Sequence, residues 1–401
     1  MTSDVSSLTR VISAHGRAQT LAYYIAFIAL GLATSILGPT LPTLAQNTGA
    51  SLAQIGAVLT GMSLGWMIGS FVAGRYYDRR PAHGLLAGMV LMTALMLGLT
   101  PMVQRLELLV LVFFLIGFAG GGIDMGGNIL LVWVHGDRVG PWMNALHFCF
   151  GLGALLSPLF VAQAMALSGS GAGAYWLNAV LLAPVALLIA RIPGPANPYQ
   201  KPTTPTAVAA ARPATRPRLP VVLMAALFFL FVAAELGFAN WIYTYALTLG
   251  LASPVGASYL TSVFWAALTL GRLLTIPLAT RIRPRYLLAA DIMGMLLCMG
   301  LLGTATPLAG VIWIATAGMG LAVANAFPTL MNLAGRHMPI TGSITRWFLV
   351  GSSLGAMTVP YGIGQLFVAV GPFMLVVVIA LCALLAALVL LLFLQQSRRQ
   401  P

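Results

Sequence analysis

Residues 141–167 read PWMNALHFCFGLGALLSPLFVAQAMAL, and residues 342–370 read GSITRWFLVGSSLGAMTVPYGIGQLFVAV. Crossing a bilayer takes about 20 mostly apolar residues, and both stretches are long enough. The first carries no Asp, Glu, Lys or Arg, and the second carries only Arg346. Both contain Gly-Ala-x-x-x-Pro, at Gly153–Pro158 and Gly355–Pro360, which lie 202 positions apart (355 − 153). Two membrane-length stretches sharing a motif at that interval imply an internally duplicated membrane protein.

The rest of the chain fits this frame. Of 401 residues, 60% are hydrophobic and only 7% charged, with a mean hydropathy of +0.96. A soluble domain carries about 25% charged residues, so this chain could not cover a water-facing surface. Twelve spans are predicted, at 19–44, 52–76, 82–103, 107–135, 141–167, 172–192, 220–249, 254–281, 285–304, 308–335, 342–370 and 372–395. The first is too long for the apolar core of a signal peptide and is read as retained. The 43 Gly and 24 Pro suit membrane helices, where small residues let helices approach closely. The longest break in apolarity, 193–219, is rich in Pro, Ala and Thr and has no acid. It divides the chain into an N-terminal half (1–192), a flexible linker and a C-terminal half (220–401).

The net charge of +13 is distributed for a membrane rather than for nucleic acid. With the N-terminus inside, all 20 basic residues except Arg105, Arg272 and Arg346 fall in segments on the cytoplasmic side. This asymmetry orients both termini toward the cytoplasm. Contact with phospholipid headgroups accounts for nearly all of these residues. Cys149, Cys298 and Cys382 lie in apolar runs without metal-ligand spacing or a disulfide framework.

Two further anchors support the duplication. Gly69 and Arg79 match Gly271 and Arg281 at the same offset of 202 (271 − 69). Asp124 and Gly117 match Asn325 and Gly318 at 201 (325 − 124). Two similar six-helix halves, related by an axis along the membrane normal, are the plan of the major facilitator superfamily, whose substrates sit near the midplane between the halves. The stretch Gly74-Arg75-Tyr76-Tyr77-Asp78-Arg79-Arg80 resembles that superfamily's signature between spans two and three, with Pro81 where a Gly is usual. A narrower resemblance lies in GGGIDMGGNILLVWVHG and MNALHFCFGLGALLSPL, between residues 117 and 158, and in AELGFANWIYTYAL and ANAFPTLMNLAG, at 234–247 and 324–335. These segments are similar to the sodium-dependent glucose transporter-like branch near the fucose/hexose–proton symporters.

The resemblance implies an all-α integral membrane fold of two pseudo-symmetric six-helix bundles and symport of a monosaccharide with H⁺ or Na⁺ by alternating access. It implies no cofactor, a monomer in lipid and, for a bacterial chain, the inner membrane. The fucose symporter's first-span carboxylate is absent here; that span offers Thr34, Ser35, Thr40 and Thr43. A proton-driven exporter of drugs or metabolites on the same plan is the alternative. No Walker Gly-Lys motif and no enzyme constellation is present.

Of seven acids, Asp124, Glu235 and Asp291 lie inside spans, where an ionisable group is costly and marks a functional candidate. Asp124 has Asn128 one turn away on the same face and is read as a cation-coupling residue. A structural hydrogen bond to a neighbouring helix is its bland alternative. Glu235 is either a second cation ligand or a substrate ligand. With Asn240 and Trp241 it forms a set suited to hydroxyls and to the C–H face of a pyranose. Asn128, His147, Asn325, Asn332 and Gln365 are further substrate-ligand candidates, although a packed, structural His147 is at least as reasonable on residue type alone. Trp133 and Trp265 are stacking candidates that packing would equally explain. Asp291 is expected to pair with Arg272 or Arg281 as a latch on access, with Asp78 and Arg79 of the signature loop in a similar role. Tyr245 is read as an interfacial anchor.

Overall fold

The computed structural model describes residues 14–77, 82–195, 219–304 and 309–398. It contains fourteen α-helices and, among the described residues, no strand. The first half comprises α1 (Ala14–Ser35), α2 (Leu37–Thr48), α3 (Leu52–Tyr77), α4 (Ala82–Leu99), α5 (Leu106–His135), α6 (Gly140–Ser168) and α7 (Ala172–Arg191). The second comprises α8 (Leu219–Thr248), α9 (Pro254–Arg281), α10 (Pro284–Leu302), α11 (Ala309–Val323), α12 (Ala326–Gly335), α13 (Gly342–Ala369) and α14 (Met374–Arg398).

Prolines explain why fourteen helices make twelve crossings. A proline at position i has no N–H for the carbonyl at i−4. Pro39 frees the carbonyl of Ser35, and the first crossing breaks between α1 and α2 at Ile36. Pro328 frees the carbonyl of Ala324, and the tenth breaks between α11 and α12 at Ala324 and Asn325. With each broken pair joined, twelve crossings remain. Eleven stretches are long and apolar enough to span a bilayer by themselves, and α13, with 28 residues, completes the set.

The packing is repeated between the halves. In the first, α1 packs on α6, α3 on α5 and α4 on α7. In the second, α8 packs on α13, α9 on α11 and α10 on α14. The repeated motif lies in the first of these pairings. A Cβ on Gly153 would strike the backbone carbonyl of Ile28 on α1, and one on Gly355 would strike that of Phe229 on α8. One equivalence read from sequence shifts. Gly117 lies against the Met62 carbonyl of α3, but Gly318 faces Cys298 of α10. The residue meeting α9 as Gly117 meets α3 is Gly320, against Phe264, so the interval here is 203 (320 − 117). Asn325 is therefore not the packing counterpart of Asp124.

The halves meet along two seams, α3 against α13 and α6 against α9, with α2 also touching α8. We call the end of the bundle bearing the 49–51, 169–171 and 249–253 connections the loop end, and the opposite end the terminal end. All hydrogen bonds between the halves, among the described residues, lie on the loop side. On the first seam Gln365 Nε2 donates to Ala53 O (2.8 Å), Thr60 Oγ1 to Met357 O (3.1 Å) and Ser63 Oγ to Ala356 O (3.2 Å). On the second Gln163 Nε2 donates to Tyr259 Oη (2.8 Å), and Gly151 lies against Thr269. Near the same end the Gly38 backbone rests on Asn240. Toward the terminal end no hydrogen bond joins the halves among the described residues. Among the described residues, the hydrogen bonds that fasten the halves together thus cluster toward the loop end.

Candidate functional site

Four mid-span polar groups lie at the depth where the fastening stops. Asp124 sits in the middle of α5, and Asn128 Nδ2 donates both to its backbone carbonyl (2.8 Å) and to its Oδ1 (3.1 Å). The one-turn spacing places both on one face, as expected. Gly126 and Gly127 occupy the neighbouring faces. A Cβ at Gly126 would strike the Tyr77 hydroxyl, and one at Gly127 the Phe27 ring. The glycines therefore bring α5 close to its neighbours while the carboxylate remains partly accessible.

Glu235 sits in the middle of α8, also partly accessible, and accepts no hydrogen bond among the described residues. Its surroundings follow from the register of α9. Phe238 meets Phe264 with ring centroids 5.5 Å apart, Phe150 meets Trp265 at 6.2 Å, and Gly151 meets Thr269. One turn toward the terminal end from these contacts lie Glu235 on α8, His147 on α6 and Arg272 on α9. Arg272 is held there by the proline break: its Nε donates to the Ala324 carbonyl (3.3 Å), the acceptor that Pro328 leaves without a helical donor. Arg272 is within electrostatic reach of both Glu235 and His147. His147 stands edge-on to Phe27 at 5.8 Å. Phe27 thereby touches both the Asp124 helix and the His147 helix.

This geometry changes several expectations. Asp291 does not pair with Arg272 or Arg281. It is 9% exposed on α10, its Oδ2 has no hydrogen-bond partner, and Arg281 is exposed at the end of α9. Arg272 instead belongs to the Ala324–Glu235 group, while α10 packs chiefly on α11, α12 and α14. Trp241 is fully buried, donates through Nε1 to Pro360 O (2.8 Å) and packs on Phe367. It ties α8 to α13 and presents no face to a ligand. Gln365 commits its amide nitrogen to the seam with Ala53. Asn240 donates to its own helix at Leu236 O (2.8 Å), leaving its carbonyl oxygen free, and remains partly accessible. Asn325 is 8% exposed at the helix break and makes no side-chain cap. Tyr245 is buried and donates to Leu302 O (3.4 Å) rather than anchoring at an interface. Asp78 and Arg79 lie outside the described residues, as does most of the 193–219 linker.

Three of the first span's hydroxyls are also structural. Ser35 donates to Ala154 O, Thr34 to Leu30 O, and Thr40 bonds the Tyr175 hydroxyl. Trp265 is 5% exposed with its Nε1 unpartnered. Sequence reasoning missed Thr60 and Ser63, the two hydroxyls fastening the seam, and the carbonyls that bind Ser63 and Arg272. A signal existed: each mid-span proline marks an orphaned carbonyl four residues earlier, here Ala324 and Ala356.

Comparisons with known proteins agree with this architecture. The sodium-dependent glucose transporter 1A of Mus musculus is 29% identical over 377 residues, covering 86% of this chain and 88% of that protein. The major facilitator superfamily domain-containing protein 4A of Homo sapiens is 26% identical, covering 93% of this chain and 91% of its own. Among solved structures, a point mutant of the nucleoside transporter NupG superposes with a TM-score of 0.74 at 15% identity, covering 95% of this chain and 99% of that one. A bacterial homologue of the human lysosomal transporter Spinster, solved inward-facing and unoccupied, gives 0.67 at 12%, covering 96% of each chain. The family model described as Major Facilitator Superfamily matches residues 23–360, and the chain belongs to that superfamily of transporters.

Proposed function

We propose that the protein is a cation-coupled symporter of a monosaccharide working by alternating access. The observation carrying this reading is the placement of Asp124 with Asn128 on one half and Glu235 with Arg272 on the other, at mid-span, where the fastening between the halves ends. In this reading the terminal end is cytoplasmic, both chain termini face the cytoplasm and the state described is inward-facing. The inward-open state receives or releases substrate at mid-depth; parting of the α3–α13 and α6–α9 seams, with closure at the terminal end, exposes the same groups to the other side. The 27–29% identity to three proteins named sodium-dependent glucose transporters supports hexose and Na⁺ over other cargo.

The chemistry follows from the groups present. Asp124, with the Asn128 amide already oriented on it, supplies oxygen for a hard cation or a base for a proton. The free carbonyl oxygen of Asn240, with His147, suits sugar hydroxyls, and Phe27 offers an apolar edge nearby. Moving one charge through 100 mV supplies about 2.3 kcal/mol, and each 1.4 kcal/mol is tenfold in concentration ratio, enough for tens-fold accumulation. The test is uptake of labelled glucose into proteoliposomes under an imposed Na⁺ or H⁺ gradient. Wild type accumulates sugar, and Asp124→Asn loses gradient-driven accumulation while retaining sugar binding. Full accumulation by Asp124→Asn would remove Asp124 from the coupling, and the absence of glucose uptake under either gradient would remove the sugar assignment.

A further inference from the structure

The mid-span charges do not balance. Asp124 and Glu235 supply two carboxylates, and Arg272 is the only arginine or lysine at that depth among the described residues. The other arginines of the helices around the seams are remote: Arg75, Arg281 and Arg346 are exposed near the terminal end. Asp291 stands on α10, which packs chiefly on α11, α12 and α14, and its Oδ2 has no hydrogen-bond partner among the described residues. Arg272 is a fixed group. Its Nε is bonded to the carbonyl orphaned by Pro328, and the Phe238–Phe264 and Gly151–Thr269 contacts set the level of its Cα one turn from those packing points. This register puts Arg272 at the level of Glu235 on the neighbouring helix, and the Glu235 carboxylate accepts no hydrogen bond among the described residues. Asp124, by contrast, has only the neutral Asn128 amide.

A carboxylate at membrane mid-depth without a counter-charge is costly, whereas a compensated one is much less so. Glu235 therefore carries its compensation within the protein, and Asp124 must obtain it from solution. A single monovalent cation neutralises the set, and an uncharged sugar adds nothing to it. We propose that Arg272 is the resident counter-ion of Glu235 and thereby fixes the stoichiometry at one cation per sugar, Asp124 being the carboxylate that the transported cation neutralises. This rests on the symport reading above. It assigns Arg272 a positioning and stoichiometric role distinct from a latch with Asp291.

The experiment is the ratio of charge moved to labelled glucose moved in proteoliposomes with the membrane potential set by K⁺ and valinomycin. Wild type should give a ratio of one. Arg272→Gln exposes a second uncompensated carboxylate, and the ratio should rise toward two, with a steeper dependence on cation concentration. Arg272→Lys, which keeps the charge, should return it to one, as should Glu235→Gln/Arg272→Gln, which removes both members of the pair. If Arg272→Gln does not yield folded carrier, the double variant decides: a ratio of one supports the pairing, and any other value overturns it. A folded Arg272→Gln carrier with unchanged ratio and cation dependence would overturn the proposal, as would a wild-type ratio of two. Glucose flux in wild type that ignores both cations would instead refute the symport reading itself, so the two failures are distinguishable.

Discussion

The two copies of Gly-Ala-x-x-x-Pro do the same thing to the backbone and different things to the molecule. Pro158 orphans the Ala154 carbonyl, and Ser35 of α1, a helix of the same half, donates to it at 2.8 Å. Pro360 orphans the Ala356 carbonyl, and Ser63 of α3, a helix of the other half, donates to it at 3.2 Å. The first bond is internal to one bundle. The second crosses the seam that would part if the carrier works by alternating access as proposed, with Thr60 and Gln365 as its companions. Duplication therefore supplied the same unsatisfied acceptor twice, and the source of the donor decided which copy fastens one half internally and which fastens the two halves together.

The glycines of the motif test what the two copies share. Gly153→Val and Gly355→Val each drive a side chain into a carbonyl of the partner helix, at Ile28 and Phe229. With backbone on the opposing side the clash has no flexible neighbour to absorb it, and both variants should lose most folded protein, read as the monodisperse fraction on size-exclusion in detergent. A large loss in one and none in the other would break the symmetry.

The serines test what the copies do not share, with smaller effects. Hydrogen bonds between membrane helices contribute about 0.6 kcal/mol on average and up to about 1.7. Ser35→Ala should lower thermal stability by about 1 kcal/mol without altering the inward–outward equilibrium. Ser63→Ala should leave stability nearly intact and shift that equilibrium toward the state open at the loop end by about fivefold, since 1.4 kcal/mol is a factor of ten. Distances between spin labels on the loop-end segments of α3 and α13 would report the shift. Equal behaviour of the two variants would contradict the distinction.

Much of this is legible in the sequence because bilayer physics leaves few options. A chain with 7% charged residues and membrane-length apolar stretches admits only helices or barrels, and the Gly-Ala-x-x-x-Pro pair reveals the duplication. Asp124 and Asn128 are legible as a pair because one helix fixes their spacing. Rotation and partner choice are not legible. In lipid both the outside and the core of a bundle are apolar, so periodicity does not mark which face turns inward. Trp241 thus reads as a ligand face in the sequence but is buried against α13, and Arg272 reads as a partner of Asp291 although its place is set by Pro328 and Ala324. The Gly318 equivalence slips for a related reason: a numerical offset does not track the different way the tenth crossing packs on its neighbours.

Alternating access, as proposed, requires one mid-span site reached in turn from two sides, with the α3–α13 seam as one barrier. Thr60→Cys, in a background lacking Cys149, Cys298 and Cys382, places a thiol inside that seam. Its rate of modification by a membrane-impermeant thiol reagent, added from the loop side of oriented proteoliposomes, tests the claim directly. Labelling should be slow in the fastened state and several-fold faster when Ser63→Ala is added or when Na⁺ and glucose let the carrier cycle. Labelling that is fast and indifferent to Ser63, cation and sugar would show that the seam is not a gate.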